Sequence, residues 1–345
     1  MRFGIGWRAE LGAAILANLD RIDAVELLAE EFDESNRRAL RFLRRQVSIV
    51  VHGTSLGLAS TEPVDGKRLD AIARVVEWTE AEFWSEHLAF VRAGGMEIGH
   101  LAAPPRNDAT LEGLMRNVDA ARRVVGSAPL LENVATLIDP PFSTYDEIAW
   151  METVTRATGC DLLLDLHNLH ANAVNFGFAP RIPRCRAGAI HIAGGKRIEG
   201  DRILDDHLHA VPDEVFALLA EVTADLVILE RDGRYPPFAQ LLGELDRARD
   251  VILSVSEGSV WESEPCRTAR PHRSLADAQD DTAPFLAALY TDDDLRARFV
   301  ADPVTAARGA GLSEHDAEEL ARMDVEALRL AARSFAKKRA QKRTG

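Results

Sequence analysis

The sequence predicts a (β/α)8 barrel followed by a small all-α domain. Two features of the first 250 residues point to the barrel: eight short apolar runs, and amphipathic stretches between them with apolar residues three and four apart. A third observation weighs against the rival doubly wound open sheet. No Gly-x-Gly-x-x-Gly follows the first run.

The runs are FGIGW (3–7), AVELLA (24–29), VSIVVHG (47–53), FWSEHLAF (83–90), PLLENVA (129–135), DLLLDL (161–166), AGAIHIAGG (187–195) and ADLVILERD (224–232). Runs this short and this continuously apolar suit parallel strands buried on both faces. The intervening KRLDAIARVVEWTEAEF and LEGLMRNVDAARRVV carry apolar residues at helical spacing. Residues 1–252 are therefore expected to form the barrel.

The pattern then changes. Residues 253–282 lack apolar periodicity and read as a linker, and 283–345 read as several short helices. Asp302 is an N-cap with Pro303 in the first helical position, and Gly309 or Gly311 stops that helix. Ser313 with Asp316 resembles a capping box. Phe285, Leu289, Leu295, Phe299, Leu312, Leu320 and Leu328 supply apolar faces for a helical core.

Composition narrows the class. The chain has 345 residues, 46% of them hydrophobic, and a net charge of −14. That charge disfavours a nucleic-acid backbone as main partner. The terminal AKKRAQKR reads as a solvated helix end rather than a docking tail. No apolar stretch approaches the roughly 20 residues of a membrane span, and no signal peptide is visible. Cys160, Cys185 and Cys266 form no Cys-x-x-Cys pair, and an odd number argues against a disulfide framework. The expected compartment is the cytoplasm.

Active sites of such barrels lie at the carboxyl ends of the strands. The polar residues there are Glu26, His52, His87, Glu132, Asp165, His191 and Glu230, one from each run after the first. A single strand-end histidine is usually a hydrogen-bonded structural group, but the whole set converging on one axis is costly unless divalent cations neutralise it. Asp205 and His207 add an Asp-x-His pair on the next loop. Histidine and carboxylate without cysteine suit iron, manganese or zinc. So many ligands exceed the needs of one ion, which implies two or three, with Glu132 or Glu230 as a bridge.

VVHGTSLGL, SEHLAF, LLENVA, LLDLHNLHANAVNFGF, AIHIAGG, DDHLHAVPD and LERD, in this order, resemble the multinuclear non-heme iron-dependent oxidative enzymes, formerly domain-of-unknown-function family 692. The resemblance runs from about residue 3 to 250. It implies a barrel of the xylose-isomerase/endonuclease IV kind, and ligand roles for His52, His87, Glu132, Asp165, His191, Asp205, His207 and Glu230. Many relatives have Asp-Val-Asn-Asn-Val-Tyr where this chain has Asp165, Leu166, His167, Asn168, Leu169 and His170. His167 and Asn168 compete for the remaining ligand position, with His170 behind them.

The resemblance further implies two or three iron ions in mixed Fe(II)/Fe(III) states and dioxygen as co-substrate. It implies oxidative modification of a ribosomally made precursor peptide, usually at cysteine. Such enzymes commonly work with a separate peptide-presenting protein; the helical module either takes that role or is a structural appendage or dimer contact. Two rivals stand beside this reading. One is a zinc or manganese hydrolase or isomerase on the same barrel, and the other a non-catalytic metal- or peptide-binding protein.

Overall fold

The computed structural model describes residues 1–256 and 282–344. Eight parallel strands close a barrel: β1 (Arg2–Gly6), β2 (Ala24–Leu28), β3 (Ser48–Gly53), β4 (Trp84–His87), β5 (Leu130–Glu132), β6 (Leu162–Asp165), β7 (Ala187–Ile192) and β8 (Leu226–Leu229). Each strand pairs with its sequence neighbours, and β1 closes against β8. Every apolar run of the sequence coincides with one of these strands, β1 beginning one residue earlier at Arg2.

Ala24, Val50, Leu163, Ala189, Leu226 and Ile228 fill the barrel interior, while alternate residues such as Val25, Val51, Leu164 and Ile190 face the surrounding helices. Crowding is tight where β1 meets β2: a Cβ on Gly4 would come within 2.7 Å of the Ala24 carbonyl oxygen. Three outer helices begin on side-chain caps. Asp65 accepts from Lys67 and Arg68 ahead of Gly66–Thr79, Asn107 from Thr110 ahead of Asp108–Val125, and Asp146 from Ala149 ahead of Glu147–Thr158. The last two stop at left-handed glycines, Gly126 and Gly159.

A hairpin of Phe90–Ala93 and Met96–Ala102 rises beyond β4. Gly94 and Gly95 both have positive φ, and Ala93 pairs with Met96, the geometry a two-residue Gly-Gly turn allows. The fourth apolar run ends at Phe90, and no hairpin was expected from the residues that follow it.

The C-terminal helices are Thr282–Thr291, Asp293–Ala301, Pro303–Gly309, Glu314–Leu320 and Val325–Thr344. Asp302 and Ser313 cap their helices, and Pro303 starts the third. Phe285, Leu289, Phe299, Leu312, Leu320 and Leu328 are buried together, with Leu295 packed against them. That core also contains Phe90, Ala93, Ile98 and Ala102 of the hairpin and Leu137 and Ile138 of the loop after β5. Arg339 donates to the carbonyls of Ile98 and Tyr290. The helices are thus built onto the barrel's carboxyl end, not merely tethered to it. The expected linker begins inside a helix that runs to Ser256; its remainder through residue 281, with Cys266, lies outside the described residues.

Candidate metal centre

The strand-end residues meet at the barrel mouth. Glu132, at the end of β5, lies between three imidazoles. Its Oε2 is 3.2 Å from His52 Nε2 and 3.1 Å from His87 Nε2, and its Oε1 is 3.1 Å from His191 Nδ1. Register places these groups level: His87 pairs with Glu132, and Asp165 with His191.

Outer partners orient the rings. His87 Nδ1 lies 3.2 Å from the Gly53 carbonyl, so that nitrogen carries a proton, and Nε2 points inward at Glu132. His191 Nε2 donates to Glu26 Oε1 at 2.9 Å, leaving Nδ1 facing Glu132, Glu230 and Asp165 at 3.1, 3.1 and 4.0 Å. His52 Nδ1 is held by Ser85 Oγ at 2.8 Å. Glu26 therefore steers a ring from behind.

Among the described residues, three sets of ligand atoms each lie within 4.8 Å of one another: His52, His87 and Glu132; Glu132, Asp165, His191 and Glu230; and His207, Glu230 and Asp232. Glu132 belongs to the first two and Glu230 to the last two.

The corner around Asp165, Asp205 and His207 is looser. Asp165 caps the helix Leu166–Phe176 by accepting from the Asn168 amide at 2.8 Å through Oδ1, while Oδ2 has no hydrogen-bond partner among the described residues. Asn133 brackets Asp165, accepting its amide and donating to its carbonyl, both at 2.9 Å. Asn168 donates to the Asn133 carbonyl and leaves its own Oδ1 unpaired. His207 has a positive φ of 52° and puts Nε2 2.7 Å from Asp205 Oδ1, without hydrogen-bond alignment. His167 Nε2 approaches the same Asp205 oxygen at 3.6 Å, and neither of its ring nitrogens has a hydrogen-bond partner among the described residues. His170 is buried 6.5 Å from His167, ring to ring, and joins none of the three sets.

Unpaired buried oxygens and nitrogens cluster here: Glu26 Oε2, Glu132 Oε2, Asp165 Oδ2, Asn168 Oδ1, Asp205 Oδ1, His167 Nε2 and His207 Nε2. Cations are the chemistry that satisfies such a set, and this donor set fits them.

The protonation equilibria carry the same signature. Burial opposes charge on His87, yet Glu132, Glu86 and Glu230 outweigh it and lift it to about 9. His191 and His207 are raised well above the usual range against the same burial, chiefly by Glu230 and Asp205 respectively. Burial, with the Glu132 and Asp205 charges, raises Asp165 well above the ordinary carboxylate value. Burial alone dominates at His167, pushed down to about 4, a neutral imidazole able to donate a lone pair.

Two contributors escaped sequence reading. Asp232 lies two residues past Glu230, and Arg8 fills the place the strand-end list left blank after the first run. Arg8 is buried, donates to Asp232 Oδ1 through Nε at 3.1 Å, and approaches Glu230 Oε1 at 3.5 Å.

A closed parallel barrel with histidines and carboxylates massed at its carboxyl end defines a metalloenzyme-type site. Residues 2–253 match the family model for the RiPP precursor modification enzymes MbnB/TglH/ChrH. Among curated relatives, a UPF0276 protein of Streptomyces avermitilis is 36% identical over 268 residues, covering 72% of this chain and 54% of its own length. A UPF0276 protein of Anaeromyxobacter sp. (strain Fw109-5) is 32% identical over 260 residues, covering 72% of this chain and 92% of that protein. Endonuclease IV from Thermus thermophilus is similar in structure at 14% identity and a TM-score of 0.43, over 75% of this chain and all of that one (100%). The chain belongs to the MbnB/TglH/ChrH family of RiPP precursor modification enzymes. Among the described residues, no helix is long and apolar enough to cross a membrane.

Proposed function

We propose that this chain oxidatively modifies a ribosomally synthesised precursor peptide, at cysteine, using two or three iron ions in mixed Fe(II)/Fe(III) states and dioxygen as co-substrate. One observation carries the reading. Three sets of buried or partly buried histidine and carboxylate atoms meet at the mouth and share Glu132 and Glu230, while Glu132 Oε2, Asp165 Oδ2 and Asp205 Oδ1 have no hydrogen-bond partner among the described residues, a need that cations would meet.

In this reading His52, His87 and Glu132 hold one ion, and Glu132, Asp165, His191 and Glu230 a second. His207, Glu230 and Asp232 hold a third, with Asp205 and either His167 or Asn168 completing that corner. Iron there supplies a Lewis acid for a substrate thiolate and electrons for dioxygen. The protein does the rest. Glu26, Ser85 and the Gly53 carbonyl fix ring orientation, Arg8 balances the carboxylates nearest β1, and the apolar barrel layer below excludes water.

The test is elemental analysis of protein purified without oxygen, then mass spectrometry of a cysteine-containing precursor peptide incubated with it and air. About two to three irons per chain and an oxygen-dependent mass change are expected. Zinc or manganese without iron would transfer the site to hydrolytic or isomerase chemistry. Metal without any peptide change would make it a binding protein.

A further inference from the structure

The helix Val325–Thr344 carries Ala331, Ser334, Phe335 and Lys338, spaced i, i+3, i+4 and i+7 and hence on one face. That face looks at the metal centre. Ala331, Ser334 and Phe335 line the same cavity as His87, Asp205 and His207. The space is about 700 Å3 including its opening.

Its side walls are apolar. Leu101, Leu137, Ile203 and Leu204 line it, and Phe335 stands at its edge. The Phe335 ring is held by two neighbours, edge-on to His100 at 4.6 Å and tilted against Tyr290 at 5.0 Å between centroids. His100 is itself fixed, its Nδ1 accepting the Leu101 amide at 2.8 Å. The small Ala331 and Ser334 leave room that larger residues would fill. A wall with small residues facing the reacting centre, and one braced aromatic ring beside them, is how a pocket sorts side chains by size and polarity.

We propose that this C-terminal helix is the substrate-selecting wall of the metal centre, and that the chamber it closes admits one apolar or thiol-bearing side chain at a time. The proposal rests on the metal-centre reading above and adds which residues choose the substrate. Ser334 and Phe335 are specificity-determining positions; neither is offered as a metal ligand.

The test uses full-length protein loaded with cobalt(II) and two probes that bind metal, read by visible absorption. Azide is small enough to reach the ions in any variant, whereas 4-phenylimidazole needs the chamber for its ring. Ser334→Trp should weaken 4-phenylimidazole by about tenfold or more while azide affinity and cobalt content stay unchanged. Phe335→Ala should weaken it by about threefold to tenfold, again sparing azide. If Ser334→Trp fails to fold or load, Phe335→Ala decides alone. An unchanged ratio of the two affinities in the folded variants would overturn the proposal. Cobalt loading with no azide response in the wild type would overturn the metal-centre reading and this proposal with it. A chamber that passes both probe tests while no cysteine peptide is modified leaves the proposal standing and removes only the peptide chemistry.

Discussion

His167 Nε2 lies 3.6 Å from Asp205 Oδ1, and neither atom has a hydrogen-bond partner among the described residues. A neutral imidazole beside an unpaired carboxylate oxygen, with His207 on that oxygen's other side, has the donor arrangement of an ion site. His167→Ala should lower metal content by about one ion per chain and leave the circular dichroism spectrum unchanged. Asn168→Ala is the matched comparison. Unchanged stoichiometry in His167→Ala with a loss in Asn168→Ala assigns the ligand to Asn168 and makes His167 a wall residue.

Arg8 is buried against Glu230 and Asp232. Arg8→Met leaves those carboxylates without their guanidinium, so metal-free protein should lose about 2–4 kcal/mol, toward the lower end because Asp232 is partly exposed. Metal ions replace part of the missing positive charge, so the loss should shrink in loaded protein. Urea unfolding of both forms, with and without metal, measures the difference.

Glu147 gives a stability test away from the metal. Burial raises its carboxyl from an ordinary value of 4.5 to about 7, although the Asn172 side chain donates to it at 2.8 Å. The folded state holds this proton more tightly than the unfolded chain does. Stability from this group is therefore greatest below about pH 4.5, falls as pH rises toward 7, and stays lost above. Gln keeps the acceptor for Asn172 and never ionises. Glu147→Gln should match wild type near pH 4.5 and exceed it by about 2 kcal/mol at pH 8, less than the full shift because the side chain keeps some solvent contact. Denaturant unfolding at both pH values, in one metal state, is the measurement.

A chain ending at residue 256 should not behave as a clean barrel. It uncovers Phe90, Ile98, Leu137 and Ile138, which are buried against the C-terminal helices. The truncated protein is expected to bind a hydrophobic dye and to aggregate on concentration. Within the full chain, Phe299→Ala, at a fully buried site, should cost about 3–5 kcal/mol.

Much of this was legible in the residues. The strands were visible because parallel strands buried on both faces must be continuously apolar, and the mouth because every run after the first carried a histidine or carboxylate. Arg8 was not, since a cation after a strand looks like ordinary surface until its partners, remote in sequence, are known. Asp232 was hidden by its neighbour Glu230, which satisfied the strand-end pattern first. The Gly94–Gly95 turn was a readable hairpin signal, passed over because the preceding run already supplied a strand. The union of helices and barrel was the least accessible. Apolar helix faces say that something is covered, not what covers them, and here the answer lay nearly two hundred residues upstream.

The bond from Arg339 to the Ile98 carbonyl spans 241 positions and ties the hairpin to the last helix. During synthesis the barrel strands are all made before that helix exists, so a nascent chain can close its barrel while the hairpin still shows its apolar side. Completion of the cavity wall thus waits on synthesis of that helix. A chain interrupted before that helix would leave Phe90, Ile98 and Ala102 of the hairpin uncovered at the barrel mouth, an apolar edge prone to association.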